Sequence, residues 1–302
     1  MNKKVIVIVG PTASGKTGLS IECAKRLNGE IISCDSMQIF KEQNIGTAKV
    51  TNAEMQGIVH HQISIISSFD EYSVQEFATN TKKKIDEIFA SGKTPILVGG
   101  TGLFVESLIE EYDFAQTPKN IQFRAELESQ CEKFGTEFLY QKLCQENPAR
   151  AQQISSNDKK RIIRSLEICN SLLNKETTSD VKTKSTNKYL IFGIKTQRDA
   201  LYERINKRVD DMIQKGLINE VKTLYDKGLN ENYQSMKGIG YKEFFPFFKN
   251  EITKEEAIEK VKQHSRNYAK RQITWFNHMK EINWIKASEI EKIITTFKEE
   301  TK

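Results

Sequence analysis

The strongest signal in this chain is a glycine-rich octapeptide near its start, made of Gly10, Pro11, Thr12, Ala13, Ser14, Gly15, Lys16 and Thr17. It follows a β-branched run at 5–9 and precedes an apolar pattern of helical spacing at 19–27. Strand, glycine-rich turn and helix in this order form a phosphate-binding loop (P-loop), in which backbone N–H groups and a helix N-terminus face an anion. Lys16 adds a mobile cation, and the Thr17 hydroxyl is a ligand for Mg²⁺. The chain is therefore predicted to bind a di- or triphosphate.

An acidic residue at the end of a second strand normally completes such a site. The apolar run 95–98 leads into the glycine-rich segment 99–102 and has no acid at its end. The strand predicted at 31–34 does end in one, Asp35, and in a parallel sheet its carboxyl end lies beside the P-loop. Asp35 is thus a candidate metal ligand, a candidate base next to the phosphate, or a cap on the following helical turn. Position alone leaves these three roles open.

Composition is typical of a globular protein outside the membrane. The chain has 302 residues, of which 38% are hydrophobic and 28% charged. Its five cysteines show no paired spacing, which favours reduced thiols over disulfides or a metal site. No apolar run approaches the ~20 residues of a membrane span, and the apolar run after the N-terminal lysines stops at Gly10. We therefore expect a cytoplasmic protein without a signal sequence.

Positive charge is concentrated in two segments of a chain whose net charge is +6. Between Lys260 and Lys280 there is no acidic residue, and the cations alternate with Tyr268, Trp275 and Phe276. A second basic cluster spans 159–164 at the start of a helical pattern. Cations that neutralise phosphates and aromatic rings that stack on bases suggest an RNA surface. Either cluster alone is equally typical of a solvated helix face.

The order of predicted elements changes along the chain. Strands alternate with helices over 1–113, which predicts a parallel sheet. From about residue 119 only helical spacing is found, with helices expected at 123–133, 136–145 and 158–173. A polar stretch at 174–188 predicts a surface loop, and the apolar run 189–194 returns to the sheet.

These patterns predict the fold and its domains. We expect an α/β fold, a P-loop NTPase-like parallel sheet core flanked by helices, with an inserted all-helical subdomain. The core comprises 1–118 and 188–302, including a C-terminal helical RNA-binding part, and the insertion comprises 119–187.

Eight segments occur together in an order found in one family. They are GPTASGKT at 10–17, SCDSMQIF at 33–40, NIGTAK at 44–49, VGGTGLF at 98–104, NDKKRIIRSLE at 157–167, RINKRVDDMI at 204–213, GIGYKE at 238–243 and SRNYAKRQITWF at 265–276. The chain resembles the bacterial tRNA dimethylallyltransferases, also called tRNA isopentenyltransferases, from about residue 5 to 285. The resemblance implies transfer of a dimethylallyl group from its diphosphate to the exocyclic amine of the adenosine immediately 3′ of the anticodon. We expect a monomer with Mg²⁺ as cofactor and the tRNA anticodon stem-loop as partner, with no membrane involved.

The resemblance also implies roles for individual residues. Asp35 is expected to be the general base, Thr12 a P-loop hydroxyl near the donor, Arg208 a stabiliser of the leaving diphosphate, Thr17 the metal contact and Gln38 a reader of the base edge. Contacts to tRNA are expected at Asp35, Ser36, Met37, Gln38, Thr101, Arg124, Lys160, Arg161, Ile162, Ile163, Arg164, Lys237, Gly238, Ile239, Gly240, Tyr241, Lys242, Ser265, Arg266, Asn267, Tyr268, Ala269, Lys270, Arg271 and Gln272. The helical insertion is expected to clasp the anticodon stem. Met37, where an arginine is common, and Ser265, where a threonine is common, depart from the family pattern in these segments.

Three other functions are compatible with a P-loop. A small-molecule kinase would not explain the basic C-terminal third. A prenyltransferase acting on free adenine nucleotides would have no need for a helical insertion that clasps a stem. A non-catalytic RNA-binding module with a relict P-loop would tolerate loss of Lys16, Thr17 or Asp35, and all three are present.

Overall fold

The computed structural model describes residues 3–110, 120–172 and 189–302. These residues fall into two compact units, one formed by 3–110 with 189–302 and the other by 120–172. The surface loop expected at 174–188 and the domain boundaries expected at 118/119 and 187/188 lie outside the described residues.

Both units are built from regular elements. The strands are β1 (Val5–Val9), β2 (Gly29–Ser33), β3 (His60–His61), β4 (Thr94–Gly99), β5 (Tyr189–Ile194) and β6 (Asn283–Ile285). The helices are α1 (Lys16–Arg26), α2 (Asn52–Met55), α3 (Val74–Ala90), α4 (Gly102–Ile109), α5 (Ile121–Phe134), α6 (Thr136–Glu146), α7 (Pro148–Ala151), α8 (Lys159–Leu172), α9 (Arg198–Gln214), α10 (Leu217–Asp226), α11 (Phe245–Phe248), α12 (Lys254–His278) and α13 (Ile290–Glu300). Single 3₁₀ turns occur at Ser235–Lys237 and Lys242–Phe244.

The larger unit is organised around a six-stranded sheet in the order β3-β2-β4-β1-β5-β6. Every neighbouring pair is parallel, so the expected α/β fold with a parallel sheet is confirmed. Val9 pairs with Gly99 and Ser33 with Val98, so β1, β2 and β4 end at the same edge. That edge carries the P-loop, Asp35 and the glycine-rich segment after β4. The edge strands β3 and β6 were not predicted, because two or three residues are too few to show a periodic pattern.

The sheet is buried on both faces, which explains its continuous apolar strands. Every residue of β1 is inaccessible to solvent. On one face, Ile6 and Ile8 belong to a cluster that also contains Ile21 of α1 and Ile293 of α13. Burial of such side chains contributes about 25 cal/mol per Å² of apolar surface removed from water, so β1 anchors the P-loop firmly.

The C-terminal part of the larger unit has its own core. One apolar cluster contains Leu217 and Leu224 of α10, Phe244 of the second 3₁₀ turn, Phe245 of α11 and Val261 of α12. Gly216, the expected break between two helices, has φ +95° and separates α9 from α10. None of the helices described here has both the length and the apolar character needed to cross a bilayer.

The smaller unit contains α5 to α8 and is entirely helical within 120–172. Its core includes Leu127, Leu139, Leu143 and Leu166 at helical spacing. The Asn120 side chain caps α5 by accepting a hydrogen bond from the Phe123 amide at 3.0 Å. The helices expected at 123–133, 136–145 and 158–173 are therefore present, with ends that lie within two residues of those expected.

Candidate active site

The P-loop connects the end of β1 to the first residue of α1. Gly15 has φ +93°, a conformation that side chains other than glycine rarely adopt, and it directs the chain into the helix. The Lys16 ammonium donates hydrogen bonds to the carbonyl oxygens of Gly10 at 2.9 Å and Pro11 at 2.7 Å. The lysine therefore lies over the loop that precedes it, where its charge adds to that of the helix N-terminus.

Two cations face the same space next to this loop. Burial and, to a smaller extent, the nearby Arg208 guanidinium together lower the pKa of Lys16 to about 7, against an opposing effect of Asp35. Burial likewise lowers the pKa of Arg208, while Asp35 and Glu54 oppose that shift. Buried cations whose charged forms are disfavoured are stabilised when an anion binds between them. The pair is thus suited to a diphosphate.

Asp35 lies one residue beyond the buried Cys34 and faces the same cavity. Its Oδ1 accepts hydrogen bonds from the backbone amides of Met37 at 2.9 Å and Gln38 at 3.3 Å. Asp35 therefore caps the turn that follows it, one of the three roles that position had left open. Within the described residues its Oδ2 has no hydrogen-bond partner, so one carboxylate oxygen is left to face a ligand.

Gln38 also lines the cavity, but in a turn and not one turn along a helix. Its Nε2 donates to the Thr47 carbonyl at 3.2 Å, and its Oε1 accepts from the Ser33 hydroxyl at 3.1 Å. The expected helical turn after Asp35 is corrected accordingly: residues 36–39 form a turn because the aspartate holds their amides. These two bonds use one Nε2 hydrogen and one Oε1 lone pair of the amide, which has two of each.

The half-buried carboxylate of Glu220 holds the loop at 237–242 against the loop at 44–47. Glu220 accepts hydrogen bonds from the amides of Asn44, Ile45 and Gly46 at 2.8–3.1 Å and from the Tyr241 hydroxyl at 2.7 Å. A Cβ on Gly46 would come within 2.6 Å of the Tyr241 ring, so only glycine allows this close approach. Burial raises the pKa of Tyr241 well above its usual value.

Glu243, which is buried, also holds the loop at 237–242 in place. It accepts a hydrogen bond from the Gly240 amide at 2.8 Å and pairs with Nδ1 of His264 on α12 at 2.7 Å. Sequence analysis missed both glutamates. Glu220 could have been found, because it lies between Leu217, Val221 and Leu224 on an otherwise apolar helix face.

Helix α12 forms one wall of the cavity with a stripe of residues at helical spacing, Val261, Ser265, Tyr268 and Gln272. Burial raises the pKa of Tyr268 to about 12. The Arg271 guanidinium lies 5.7 Å from the centre of the Tyr268 ring. This wall therefore combines a neutral phenol, an amide and a cation–π pair.

The cavity has a volume of about 570 Å³. It brings together these predicted site residues of the larger unit: Thr12, Lys16, Thr17, Asp35, Ser36, Met37, Gln38, Arg208, Lys237, Gly238, Ile239, Gly240, Tyr241, Lys242, Ser265, Tyr268, Arg271 and Gln272. Several lining residues were not predicted, among them the titratable Glu54 and His60. Burial lowers the pKa of His60, which pairs with Ile31 across the sheet.

Other predicted residues of this unit lie outside the cavity lining. The Arg266 guanidinium donates to Asn206 at 2.7 Å and to Glu259 at 3.2 Å, Ala269 is buried, and Asn267 and Lys270 are exposed on α12. The Thr101 hydroxyl accepts from the Ser36 amide at 3.1 Å. The P-loop is completed by Gly10, Pro11, Ala13, Ser14 and Gly15. The Ser14 hydroxyl is buried and has no hydrogen-bond partner within the described part of the chain.

In the smaller unit, two predicted RNA-binding arginines converge on one acid. Arg124 binds Glu167 through Nε at 2.8 Å and Nη2 at 2.6 Å, and Arg164 binds the same carboxylate. Burial raises the pKa of Glu167, but these bonds outweigh it and lower the pKa to about 2. Lys160 and Arg161 are exposed, and Arg161 pairs with Asp158 at 3.5 Å.

Four residues expected to touch RNA have side chains that are buried in a core. Ile162 and Ile163 belong to the apolar cluster of the smaller unit, and Tyr241 and Ala269 are inaccessible in the larger one. Their burial leaves at most the backbone for an RNA contact. The contacts expected at these four positions stay a prediction, and their side chains pack in the cores.

A divalent metal fits the donor set at the P-loop. No group of three or more His, Cys, Asp or Glu side chains that could hold a metal occurs in the described ranges. Mg²⁺, however, usually takes one or two protein oxygens together with phosphate oxygens and water. Thr17 and Asp35, which both line the cavity, supply such oxygens.

Comparisons with known proteins agree with this geometry. A family model described as IPP transferase matches residues 38–279. The chain is 44% identical to a tRNA dimethylallyltransferase of Bacillus cereus (strain B4264) over 294 residues, which is 96% of this chain and 92% of that protein. It is also 44% identical to a tRNA dimethylallyltransferase of Bacillus subtilis (strain 168), with 93% of this chain and 90% of that protein aligned.

Solved structures give the same result. The tRNA isopentenylpyrophosphate transferase of Bacillus halodurans superposes with a TM-score of 0.75 at 40% identity, covering 99% of this chain and 96% of that one. A eukaryotic dimethylallyltransferase acting on tRNA superposes with a TM-score of 0.80 at 30% identity, covering 99% and 77%. The chain belongs to the tRNA dimethylallyltransferases, also called tRNA isopentenyltransferases, a family of transferases.

Proposed function

We propose that this protein transfers a dimethylallyl group from dimethylallyl diphosphate to the exocyclic amine of the adenosine immediately 3′ of the anticodon in tRNA. One observation carries the proposal: a single cavity joins the P-loop and two buried cations to a carboxylate, with a basic helix as its wall. The names of the relatives supply the tRNA acceptor and the dimethylallyl group.

The donor diphosphate is assigned to the P-loop. Lys16, Arg208 and the loop amides bind it, and the Thr12 hydroxyl lies beside it. Thr17, with Asp35 nearby, would hold Mg²⁺, which when bound would neutralise negative charge on the leaving group. As the allylic C–O bond breaks, the electron pair moves to the diphosphate, and fixed cations that meet this developing charge lower the barrier.

We assign to Asp35 the role of general base, which accepts a proton from the adenine amine. The adenine amine is a weak nucleophile because its lone pair is delocalised into the ring. As the new C–N bond forms, the amine loses one proton, which Oδ2 of Asp35 accepts. General-base assistance of this kind contributes about 10²–10⁴-fold to a rate. The hydrogen bonds that Oδ1 accepts from Met37 and Gln38 hold the carboxylate in place.

The acceptor side is assigned to α12 and the loop at 237–242. A base stacked in the anticodon loop must leave its stack to reach a donor inside a cavity. Arg271, stacked on Tyr268, offers a planar cation to such a base or to its phosphate. We assign the anticodon stem to the helical insertion, with the exposed Lys160 and Arg161 as phosphate contacts.

Transfer of label tests the proposal. The protein is incubated with Mg²⁺, labelled dimethylallyl diphosphate and an anticodon stem-loop that carries adenosine 3′ of the anticodon. A matched loop with guanosine at that position is the control, and free AMP and ATP are tested in parallel. We expect label in the adenosine loop alone. Label in AMP would favour a free-nucleotide prenyltransferase, and ATP turnover without label transfer would favour a kinase.

A further inference from the structure

Gln272 connects three segments that approach the cavity from different directions. Its Oε1 accepts a hydrogen bond from the Thr12 amide in the P-loop at 2.8 Å. Its Nε2 donates to the carbonyl oxygen of Gly100, after β4, at 2.9 Å. The residue itself is 5% exposed and belongs to α12. The Gln272 amide thus pairs with the backbone N–H of Thr12 and with the backbone carbonyl of Gly100, which are 88 residues apart in sequence.

The glycines after β4 let α12 approach closely enough for this contact. A Cβ on Gly100 would lie 2.2 Å from the Gln272 Nε2 atom. A Cβ on Gly102 would lie 2.4 Å from the Trp275 indole, one helical turn further along α12. The helix therefore rests directly on the backbone at the start of α4.

We propose that Gln272 is a positioning residue for the transfer reaction. Its amide holds the P-loop and the segment after β4 at a fixed separation and ties both to α12. The proposal rests on the proposed function, in which the P-loop carries the donor and α12 faces the acceptor. Because reacting atoms must lie within a few tenths of an ångström of the productive geometry, this tie aligns the donor with the acceptor base.

The first test separates positioning from binding. Gln272→Ala removes both hydrogen bonds, and kcat for label transfer, normalised to the titrated active sites, is expected to fall about 10–100-fold. The KM for the stem-loop should change less than about threefold, because the cations on α12 are kept. Gln263→Ala, an exposed glutamine on the same helix, is the matched control. An unchanged kcat per active site in Gln272→Ala would overturn the proposal, even if the yield of folded protein fell.

A second variant gives a pH readout that a general loss of structure would not produce. In Gln272→Glu the ionised carboxylate accepts the Thr12 amide but repels the Gly100 carbonyl oxygen, whereas the protonated acid donates to that oxygen as the native amide does. The other titratable or charged groups that line the same cavity are Lys16, Asp35, Glu54, His60, Arg208, Lys237, Tyr241, Lys242, Tyr268 and Arg271.

The ratio of kcat for Gln272→Glu to kcat for the native protein should rise by about tenfold between pH 8 and pH 5.5. The ratio for Gln263→Glu should stay constant over that range, because its charge lies on the exposed face of the helix. A flat ratio for both variants would contradict a role for the bond to Gly100.

The coupling is also measurable as a double-mutant cycle. Gly100→Ala places a methyl group where the Gln272 amide lies, and it should lower kcat as much as Gln272→Ala does. The double variant should be no slower than either single variant, because both substitutions break the same contact between Gln272 and Gly100. Additive losses would show that the residues act separately.

Binding of inorganic pyrophosphate distinguishes failure of this proposal from failure of the proposed function. If the native protein transfers no label, the proposed function fails. Calorimetry then still tests the tie to the P-loop, because Gln272→Ala should weaken pyrophosphate binding by about threefold to tenfold and Gln263→Ala should not. Unchanged affinity would overturn the tie itself.

Discussion

The two sides of the cavity are built in different ways. The side that we propose for the donor is mainly one continuous segment, residues 10–17, whose loop follows a buried strand and opens a helix, and α9 adds Arg208 to it. The side that we propose for the acceptor combines the loops at 44–47 and 237–242 with α12, and its contacts span up to 176 residues of sequence. Local backbone geometry produces the P-loop side, whereas the other side is held together by Glu220, Glu243 and the groups that donate hydrogen bonds to them. A site formed by one continuous segment can be recognised in a sequence. A site formed by distant segments depends on contacts that leave no local sequence pattern.

Asp35 stands between the two sides, and its replacement should have the largest effect. Asp35→Ala is expected to lower the rate of label transfer by about 10²–10⁴-fold, because no base accepts the amine proton. The Kd for the stem-loop, measured by filter binding, should stay within about tenfold. Asp35→Asn is the control, because its amide oxygen still accepts from Met37 and Gln38. An active Asp35→Asn enzyme would reduce the aspartate to a cap on its turn.

The proposed acceptor side should depend on Glu220 for stability. Glu220→Ala leaves three backbone amides and the Tyr241 hydroxyl without their acceptor. Each buried donor left unsatisfied costs about 1–3 kcal/mol, so with partial access of water we expect a loss of about 2–4 kcal/mol in the free energy of unfolding.

Urea unfolding measures this loss, with Glu203→Ala on the exposed face of α9 as the control. Equal effects of the two substitutions would mean that the stability of the proposed acceptor side does not depend on Glu220. That result would contradict the difference between the two sides of the cavity.

Binding of pyrophosphate to the P-loop side should depend on pH. The pKa of Lys16 is about 7 before an anion binds, and a bound diphosphate raises it. Between these two values binding takes up a proton, so pyrophosphate affinity should fall up to about tenfold per pH unit above pH 7. Calorimetry in buffers of different ionisation enthalpy measures the uptake. Lys16→Arg, which stays charged, should remove this component; an identical pH dependence in the variant would assign the proton to another group.

The smallest expected effect distinguishes an exposed cation from a tied one on α12. Lys270→Ala should reduce the slope of log Kd for the stem-loop against log salt by about 0.7–0.9, because one phosphate contact is lost. Arg266→Ala should reduce it less, since that guanidinium binds Asn206 and Glu259 within the protein. A slope that neither variant changes would remove this segment from the RNA surface.

Some predictions from sequence were accurate because they depend on short-range periodicity. The strands at 95–98 and 189–194 and the break at Gly216 fall where the pattern of apolar residues and glycine predicts them. Others were not, because neighbours in space override residue type. Ile162, although it lies within a basic cluster, is fully buried, and Arg124 binds Glu167 across 43 residues of sequence.

The sequence by itself determined the P-loop, the parallel α/β core and the presence of an acid at the end of β2, since each follows from local spacing and chirality. Tertiary structure decided which side chains meet. It placed Gln272 between Thr12 and Gly100, and Glu220 beneath the loop at 44–47. The physical reason is that a polar group removed from water must find a partner, and the partner is set by how the elements pack and not by the residues beside it in the chain.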